Sequence, residues 1–163
     1  RVDRLSRSNF KESGLYLEGL ASVTEEETAI VYNPPVRLLA LPMKKGDSWT
    51  VEKSRAEGLF EGEEYPLNSG VTGILSIEHS FYFSVDMAGK ALIPAGEFSV
   101  LRVVVDLRMD VLNSMMPNPV VSNRYKLILW VSECTGLVVR IRSKEGETSP
   151  NFEQATEYRR LGF

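Results

Sequence analysis

The feature that most constrains the fold is a long alternation of apolar and polar side chains over residues 71–87. Successive side chains of a β-strand point to opposite faces, so a period of two predicts a strand with one buried and one solvated face. A second alternation covers residues 101–111, after the turn signal at residues 94–96. Both segments exceed the usual strand length of roughly 3–10 residues, and long antiparallel strands normally coil. We therefore predict two long antiparallel strands in a strongly curved sheet.

Shorter strand signals recur along the chain with turns between them. They cover residues 15–22, 28–32, 48–55, 125–131 and 137–142, and residues 156–161 fit a last strand better than a short helix. No helical periodicity extends beyond about three turns. The prediction is an all-β fold: a single strongly curved antiparallel sheet, a half-barrel or open barrel, with about 9–11 strands and little helix.

Length and charge limit the classes of protein. With 163 residues, 43% hydrophobic and 25% charged, the chain has the composition of one globular domain, and we expect residues 1–163 to form a single β-domain. The net charge of −3 comes from mixed charges without a basic stripe, so no nucleic acid is expected as a partner. The longest apolar runs are strand-sized, and the chain is not expected to be transmembrane.

The first residue and the single cysteine bear on the location in the cell. Arg1 stands where a full-length chain has Met, which favours a mature or shortened form, with any signal peptide or lipid-attachment cysteine upstream of it. Cys134 is the only cysteine, so an internal disulfide is excluded, while cytosolic and periplasmic locations both stay open.

Two segments are predicted to be long loops, residues 57–70 and residues 112–123. Loops of this length in a compact domain are often functional. The second loop carries Met115 and Met116, whose flexible side chains adapt to irregular apolar surfaces.

His79 is the only histidine, so a His-rich metal site cannot form and a Ser-His-Asp triad would have to use it. By strand parity it lies on the apolar face, in line with Ile77 and Phe81. One interpretation is a general base or a polar anchor in a ligand cavity. The commoner outcome is a core or rim histidine that finds a hydrogen-bond partner.

Other catalytic and metal-binding patterns are missing from the sequence. Nothing places Cys134 beside His79 as a thiol dyad, and it has no neighbouring cation to activate it. The acidic runs at residues 25–27 and 61–64 fall in predicted turns and lack the ligand spacing of a calcium loop. Phosphate loops, dinucleotide fingerprints and nucleophile elbows are absent. We expect no metal, no cofactor and no enzymatic activity, and a hydrolase using His79 is the weakest alternative.

Several proline, glycine and tryptophan motifs follow one another in a distinctive order. They are Pro34-Pro35, Leu39-Ala40-Leu41-Pro42, Gly46-Asp47-Ser48-Trp49, Ile93-Pro94-Ala95-Gly96-Glu97-Phe98, and Trp130 followed by Thr135-Gly136-Leu137-Val138. This order, over residues 34–142, resembles uncharacterised exported or lipid-anchored bacterial β-domains. Some of these are similar to the curved half-barrel of periplasmic lipoprotein carriers. The resemblance implies a periplasmic or cell-envelope location and an apolar concavity able to hold acyl chains. The chain has no lipid-attachment cysteine to support anchoring.

Two functional hypotheses follow. The first is a non-enzymatic cell-envelope domain that binds a hydrophobic ligand, a lipid or an acylated partner in the concavity of the sheet. The residues expected to line this cavity are Leu75, Ile77, His79, Phe81, Phe83, Leu101, Val103, Val105 and Leu107, with Met115 and Met116 as a rim or lid. The second is an interaction or assembly scaffold with a filled core, which binds envelope proteins through an edge strand or the long loops. A carrier leaves a pocket of roughly a few hundred Å³, whereas a scaffold packs to interior density.

The tryptophans and the aromatic run at residues 81–83 fit both hypotheses. Trp49 and Trp130 are candidates for a ligand pocket, but aromatic side chains in strands more often pack as core and cross-strand partners. The ligand, the oligomeric state and membrane anchoring are left open by the sequence.

Overall fold

The structure, a computed structural model, describes residues 4–22, 29–57, 64–66 and 72–162. These residues form ten β-strands and no helix. The strands are β1 (Arg4–Lys11), β2 (Gly14–Ser22), β3 (Ala29–Ala40), β4 (Ser48–Glu57), β5 (Glu64–Pro66), β6 (Thr72–Ile93), β7 (Gly96–Asn113), β8 (Val121–Ser132), β9 (Gly136–Ser143) and β10 (Ala155–Arg160). The predicted all-β class and strand number are confirmed.

The strands follow one another through a sheet in the order β1-β2-β3-β4-β6-β7-β8-β9-β10, and the short β5 pairs with β6. The pairings of β1 with β2, β2 with β3, β3 with β4, β5 with β6, β8 with β9 and β9 with β10 are antiparallel. Neighbours along the chain are thus neighbours in the sheet, as short connections favour. Register shifts interrupt four of these pairings, and such bulges bend a strand locally.

The two long alternating segments are strands β6, of 22 residues, and β7, of 18 residues. Both continue beyond their alternating patterns to the tight turn at Pro94 and Ala95, because ladder hydrogen bonds need only backbone groups. Gly96 follows this turn with φ of +132°, in the region that favours glycine.

The chain packs as two compact units. Unit 1 contains residues 1–42, 51–80 and 109–122, and unit 2 contains residues 43–50, 81–108 and 123–163. Each unit has buried apolar residues of its own.

In unit 1, strand β3 changes its pairing partway along its length. Leu17 of β2 pairs with Val36, but Gly19 pairs with Val31, so residues 32–35 have almost no partner on β2. Pro34 and Pro35 have no N–H to donate to a ladder, and Ser54 of β4 donates a hydrogen bond to the Pro34 carbonyl at 2.6 Å. This irregularity explains why the sequence predicted a strand only over residues 28–32, whereas β3 extends to residue 40.

In unit 2, the middles of three strands are buried on both faces. Consecutive buried residues occupy positions 103–105 of β7, 127–129 of β8 and 138–139 of β9. Val100, Val138 and Val139 pack in one cluster with Ala91, Ile93, Phe98, Trp130 and Ile141. The expectation of one solvated face is therefore wrong for the middle of β7, where Val104 is buried on the face predicted to be polar.

Candidate functional site

The residues predicted to line a cavity are distributed over both units. Ile77, His79, Met115 and Met116 belong to unit 1, and Phe81, Phe83, Leu101, Val103, Val105 and Leu107 belong to unit 2. Leu75 lies in β6, but its side chain is outside the described residues.

In unit 1, His79 is half-buried on β6 beside an aromatic ring of β3. The edge of one ring faces the other, with 5.5 Å between the ring centroids of His79 and Tyr32 and 72° between their planes. Burial lowers the pKa of His79 to about 4, since a desolvated imidazole resists protonation. At neutral pH the imidazole is therefore uncharged, which suits a packed polar side chain.

In unit 2, three aromatic side chains form a stack. Trp49 lies parallel to Phe83, with 4.8 Å between ring centroids and 8° between the planes, and Phe81 follows at 5.9 Å and 15°. The turn just before Trp49 is tied to β6, because Gly46 N donates to Val85 O at 2.7 Å and Val85 N donates to Asp47 O at 2.8 Å. The Gly-Asp-Ser-Trp motif thus builds a turn that places an indole on the core.

The apolar face of β7 is packed rather than open at its centre. Val103 and Val105 have 0% of their surface exposed, and Phe83 has 1%. A side chain that borders a cavity large enough for water keeps accessible surface, so these three are surrounded by protein atoms. Leu101 and Leu107, at either end of this face, are half-buried.

The loop between β7 and β8 presents apolar side chains to solvent. We call residues 114–120, together with Val121 at the start of β8, the Met115 loop. The exposed fractions are 63% for Met115, 45% for Met116, 38% for Val120 and 44% for Val121. Residues 111–123 contain no charged side chain. An exposed, uncharged, apolar loop of this kind is typical of a contact surface.

Asn113, at the end of β7, holds the Met115 loop in place. It is 2% exposed. Its side-chain Oδ1 accepts a hydrogen bond from Met115 N at 2.9 Å, and its backbone carbonyl accepts one from Met116 N at 3.0 Å. A hydrogen bond of 2.8 Å from Val120 N to Val111 O closes the loop. The sequence predicted an irregular segment here but not this buried asparagine, whose role depends on the local backbone course.

The described residues show no catalytic or metal-binding arrangement among the other residues considered in the sequence. Cys134 is exposed in the turn between β8 and β9, in agreement with the strands predicted on either side of it over residues 125–131 and 137–142. No group of three or more His, Cys, Asp or Glu side chains that could hold a metal occurs within residues 4–22, 29–57, 64–66 and 72–162. The acidic run at residues 25–27 and Glu61 and Glu63 lie outside the described residues, while Glu64 opens β5.

Comparison with known proteins gives no relative: no family model, no curated protein and no solved structure matches this chain. The resemblance to exported or lipid-anchored β-domains is therefore supported only as far as the antiparallel all-β fold. Export, a periplasmic location and a lipoprotein-like character stay predictions. Among the described residues, no helix is long and apolar enough to cross a membrane.

Proposed function

We propose that this protein is a non-enzymatic interaction module that binds a partner protein through the Met115 loop. The observation that carries the proposal is the exposure of Met115, Met116, Val120 and Val121 in an ordered, uncharged loop. Burying apolar surface against a partner is favourable by roughly 25 cal/mol per Å². Because Asn113 already fixes the loop, less conformational entropy is lost on binding.

The chemistry of the loop defines the chemistry of the partner. A charged group placed against residues 111–123 would lose its hydration and find no opposite charge within that run. Methionine side chains accommodate irregular apolar shapes. The expected partner surface is therefore apolar and uncharged at the point of contact.

The packing of unit 2 supports a scaffold over a carrier. Three of the side chains predicted to line a cavity, Phe83, Val103 and Val105, are enclosed by protein atoms. A scaffold is expected to combine a filled core with exposed apolar groups at its surface, and these observations agree with that expectation.

Site-specific photo-cross-linking in the native host tests the proposal. A photoreactive amino acid is placed at position 116 and, as a control, at exposed polar position 148. We expect a discrete protein adduct from position 116, identified by mass spectrometry, that disappears when Met115→Asp is added. Equal adducts from both positions, or an adduct that survives Met115→Asp, would contradict the proposal.

Binding of a hydrophobic ligand is the second candidate function, favoured by the half-buried Leu101 and Leu107 on β7. Native mass spectrometry of the protein purified from its host distinguishes the two. A stoichiometric lipid in the spectrum, or a lipid adduct at position 116, would support the carrier. If the purified protein has no added mass and takes up no fatty acid or phospholipid, the carrier hypothesis is excluded and the interaction module is supported.

A cell-envelope location is part of this proposal and is supported by the motif resemblance alone. Fractionation of the native host tests it, with recovery in the envelope fraction as the expected result. Recovery in the cytosol would remove envelope proteins and lipids from the list of partners.

A further inference from the structure

Three arginines lie on one face of the ladder formed by β8, β9 and β10 in unit 2. The register of β9 with β10 pairs Arg140 with Arg159 and Arg142 with Glu157. Side chains of directly opposed residues in an antiparallel pair project from the same face. This register places three arginines on the same face as Glu157, and it sets two like charges, Arg140 and Arg159, opposite each other.

The carboxylate of Glu157 is engaged by two of the arginines. Glu157 Oε1 lies 2.6 Å from Arg159 Nε and 3.6 Å from Arg140 Nε. The side chains of Arg140 and Arg159 are 37% and 64% exposed, so a solute can reach them. Among the described residues, Arg140 and Arg159 thus share the carboxylate of Glu157.

The third arginine has a different environment. The guanidinium carbon of Arg142 lies over the Tyr125 ring, 4.0 Å from its centroid. A ring face stabilises the charge but accepts no in-plane hydrogen bond from the guanidinium edge. Arg142 Nε is buried, and the described residues offer it no hydrogen-bond acceptor. A buried donor without an acceptor is unfavourable, so a small shift of this guanidinium that brings its Nε–H to an external anion would be favourable.

We propose that Arg140, Arg142 and Arg159 form a binding site for an oxyanion, the carboxylate or phosphate group of a ligand or partner. The guanidinium fork matches the paired oxygens of both groups and forms charge-assisted hydrogen bonds with them. The wider charge distribution favours the same ligand: unit 2 contains twelve basic and nine acidic residues, whereas unit 1 contains seven and thirteen. This site contains no residue of the Met115 loop, which belongs to unit 1.

NMR observation of the arginine Nε–Hε signals of the whole chain tests the site. Sodium phosphate and sodium acetate are titrated separately, with sodium chloride at equal ionic strength as the reference. We expect a saturable shift of the Arg142 signal with phosphate, acetate or both. The tighter of the two anions identifies the oxyanion that the site prefers.

Two variants and one matched control distinguish a site from general attraction. Arg142→Lys retains the charge but loses the planar fork, and we expect it to weaken anion binding about tenfold. Arg124→Lys, on β8 and exposed, should leave binding unchanged. Glu157→Gln removes the competing carboxylate and should tighten binding several-fold, a gain that a misfolded protein cannot produce.

The proposal is overturned by any of three results. One is a shift that rises linearly with phosphate and acetate just as it does with chloride. Another is equal weakening by Arg124→Lys and Arg142→Lys. The last is weaker binding in Glu157→Gln at unchanged thermal stability.

Discussion

At the scale of single residues, His79 makes stability depend on pH. Burial lowers its pKa from the ordinary value of 6.5 to about 4, so the folded protein holds this proton more weakly than the unfolded chain. The stabilisation from a neutral His79 is therefore complete above pH 6.5 and is lost as the pH falls from 6.5 toward about 4.

Replacing His79 with a side chain that does not titrate should remove this dependence. We expect the free energy of unfolding of the wild type to fall across that window by up to roughly 3 kcal/mol more than that of His79→Gln. Urea unfolding of both proteins at about pH 7 and about pH 4.5 measures the difference. Parallel pH profiles would show that burial does not perturb this imidazole.

Phe83 is the residue at which a filled core and a ligand cavity predict different stabilities. It is 1% exposed and contacts the rings of Trp49 and Phe81. We expect Phe83→Ala to lower the free energy of unfolding by about 3–5 kcal/mol, as truncation of a packed phenylalanine does. The matched control is Tyr82→Ala, whose side chain on the opposite face is 47% exposed; its cost should be clearly smaller. Similar small costs for both variants would indicate that Phe83 borders a void.

At the scale of elements, the start of β2 depends on one glycine. Gly14 has φ of +146°, and a Cβ at this position would lie 1.9 Å from the Leu39 carbonyl oxygen of β3. That oxygen belongs to the backbone of the paired strand, so the strands have to separate to admit a methyl group.

We expect Gly14→Ala to destabilise the protein by more than about 2 kcal/mol. Gly89→Ala in β6 is the control, because nothing lies within 4 Å of its added Cβ. Thermal unfolding of the two variants measures the contrast. Equal melting temperatures would show that β2 and β3 tolerate separation at this point.

Two ion pairs connect β6 with β7 and differ in burial. Arg102 donates from Nε to Asp86 Oδ1 at 2.9 Å and from Nη2 to Asp86 Oδ2 at 2.5 Å, with 16% and 33% of the two side chains exposed. Lys90 and Glu97 form a single contact of 2.6 Å with 68% and 55% exposed. The Arg102–Asp86 pair forms two hydrogen bonds and is less exposed, so solvent screens its interaction less than that of the Lys90–Glu97 pair.

The two pairs should therefore contribute differently to stability. We expect Arg102→Met to lower the free energy of unfolding by about 1 kcal/mol and Lys90→Met to change it by less than about 0.5 kcal/mol. The hydrogen bond from Arg102 lowers the pKa of Asp86 below 3.8, so the first contribution is present above that pH and is lost as the pH falls below it. Chemical unfolding at neutral and acidic pH measures both effects, and equal losses in the two variants would contradict this ranking.

At the scale of the whole molecule, the single cysteine limits covalent assembly. Cys134 is exposed in the turn between β8 and β9 and is the only cysteine of these 163 residues, so it has no disulfide partner among them. We expect an oxidant to produce a covalent dimer on a non-reducing gel and Cys134→Ser to abolish it. A native protein that fails to react with a maleimide would contradict the exposure of this thiol.

The strands that the sequence predicted are those in which side chains alternate or turns are chemically marked. Residues 71–87 and 101–111 lie within β6 and β7, and the glycine at position 136 marks the end of the turn before β9. Strands β1 and β5 were not predicted, because their sequences show no alternation that separates them from loops. Their identity rests on backbone pairing with β2 and β6.

What the sequence alone determined is the class of fold, because the period of two and the turn residues act locally. Only the tertiary structure decided which faces of the strands are buried. The alternating charges of β7 predicted that one face is solvated, yet Val104 on that face is buried, two residues along the strand from Arg102 of the Arg102–Asp86 pair. Tertiary structure likewise placed Arg140 opposite Arg159, since a register shift of one residue would change which side chains meet. Such contacts join segments that are distant in sequence, so a local sequence pattern does not predict them.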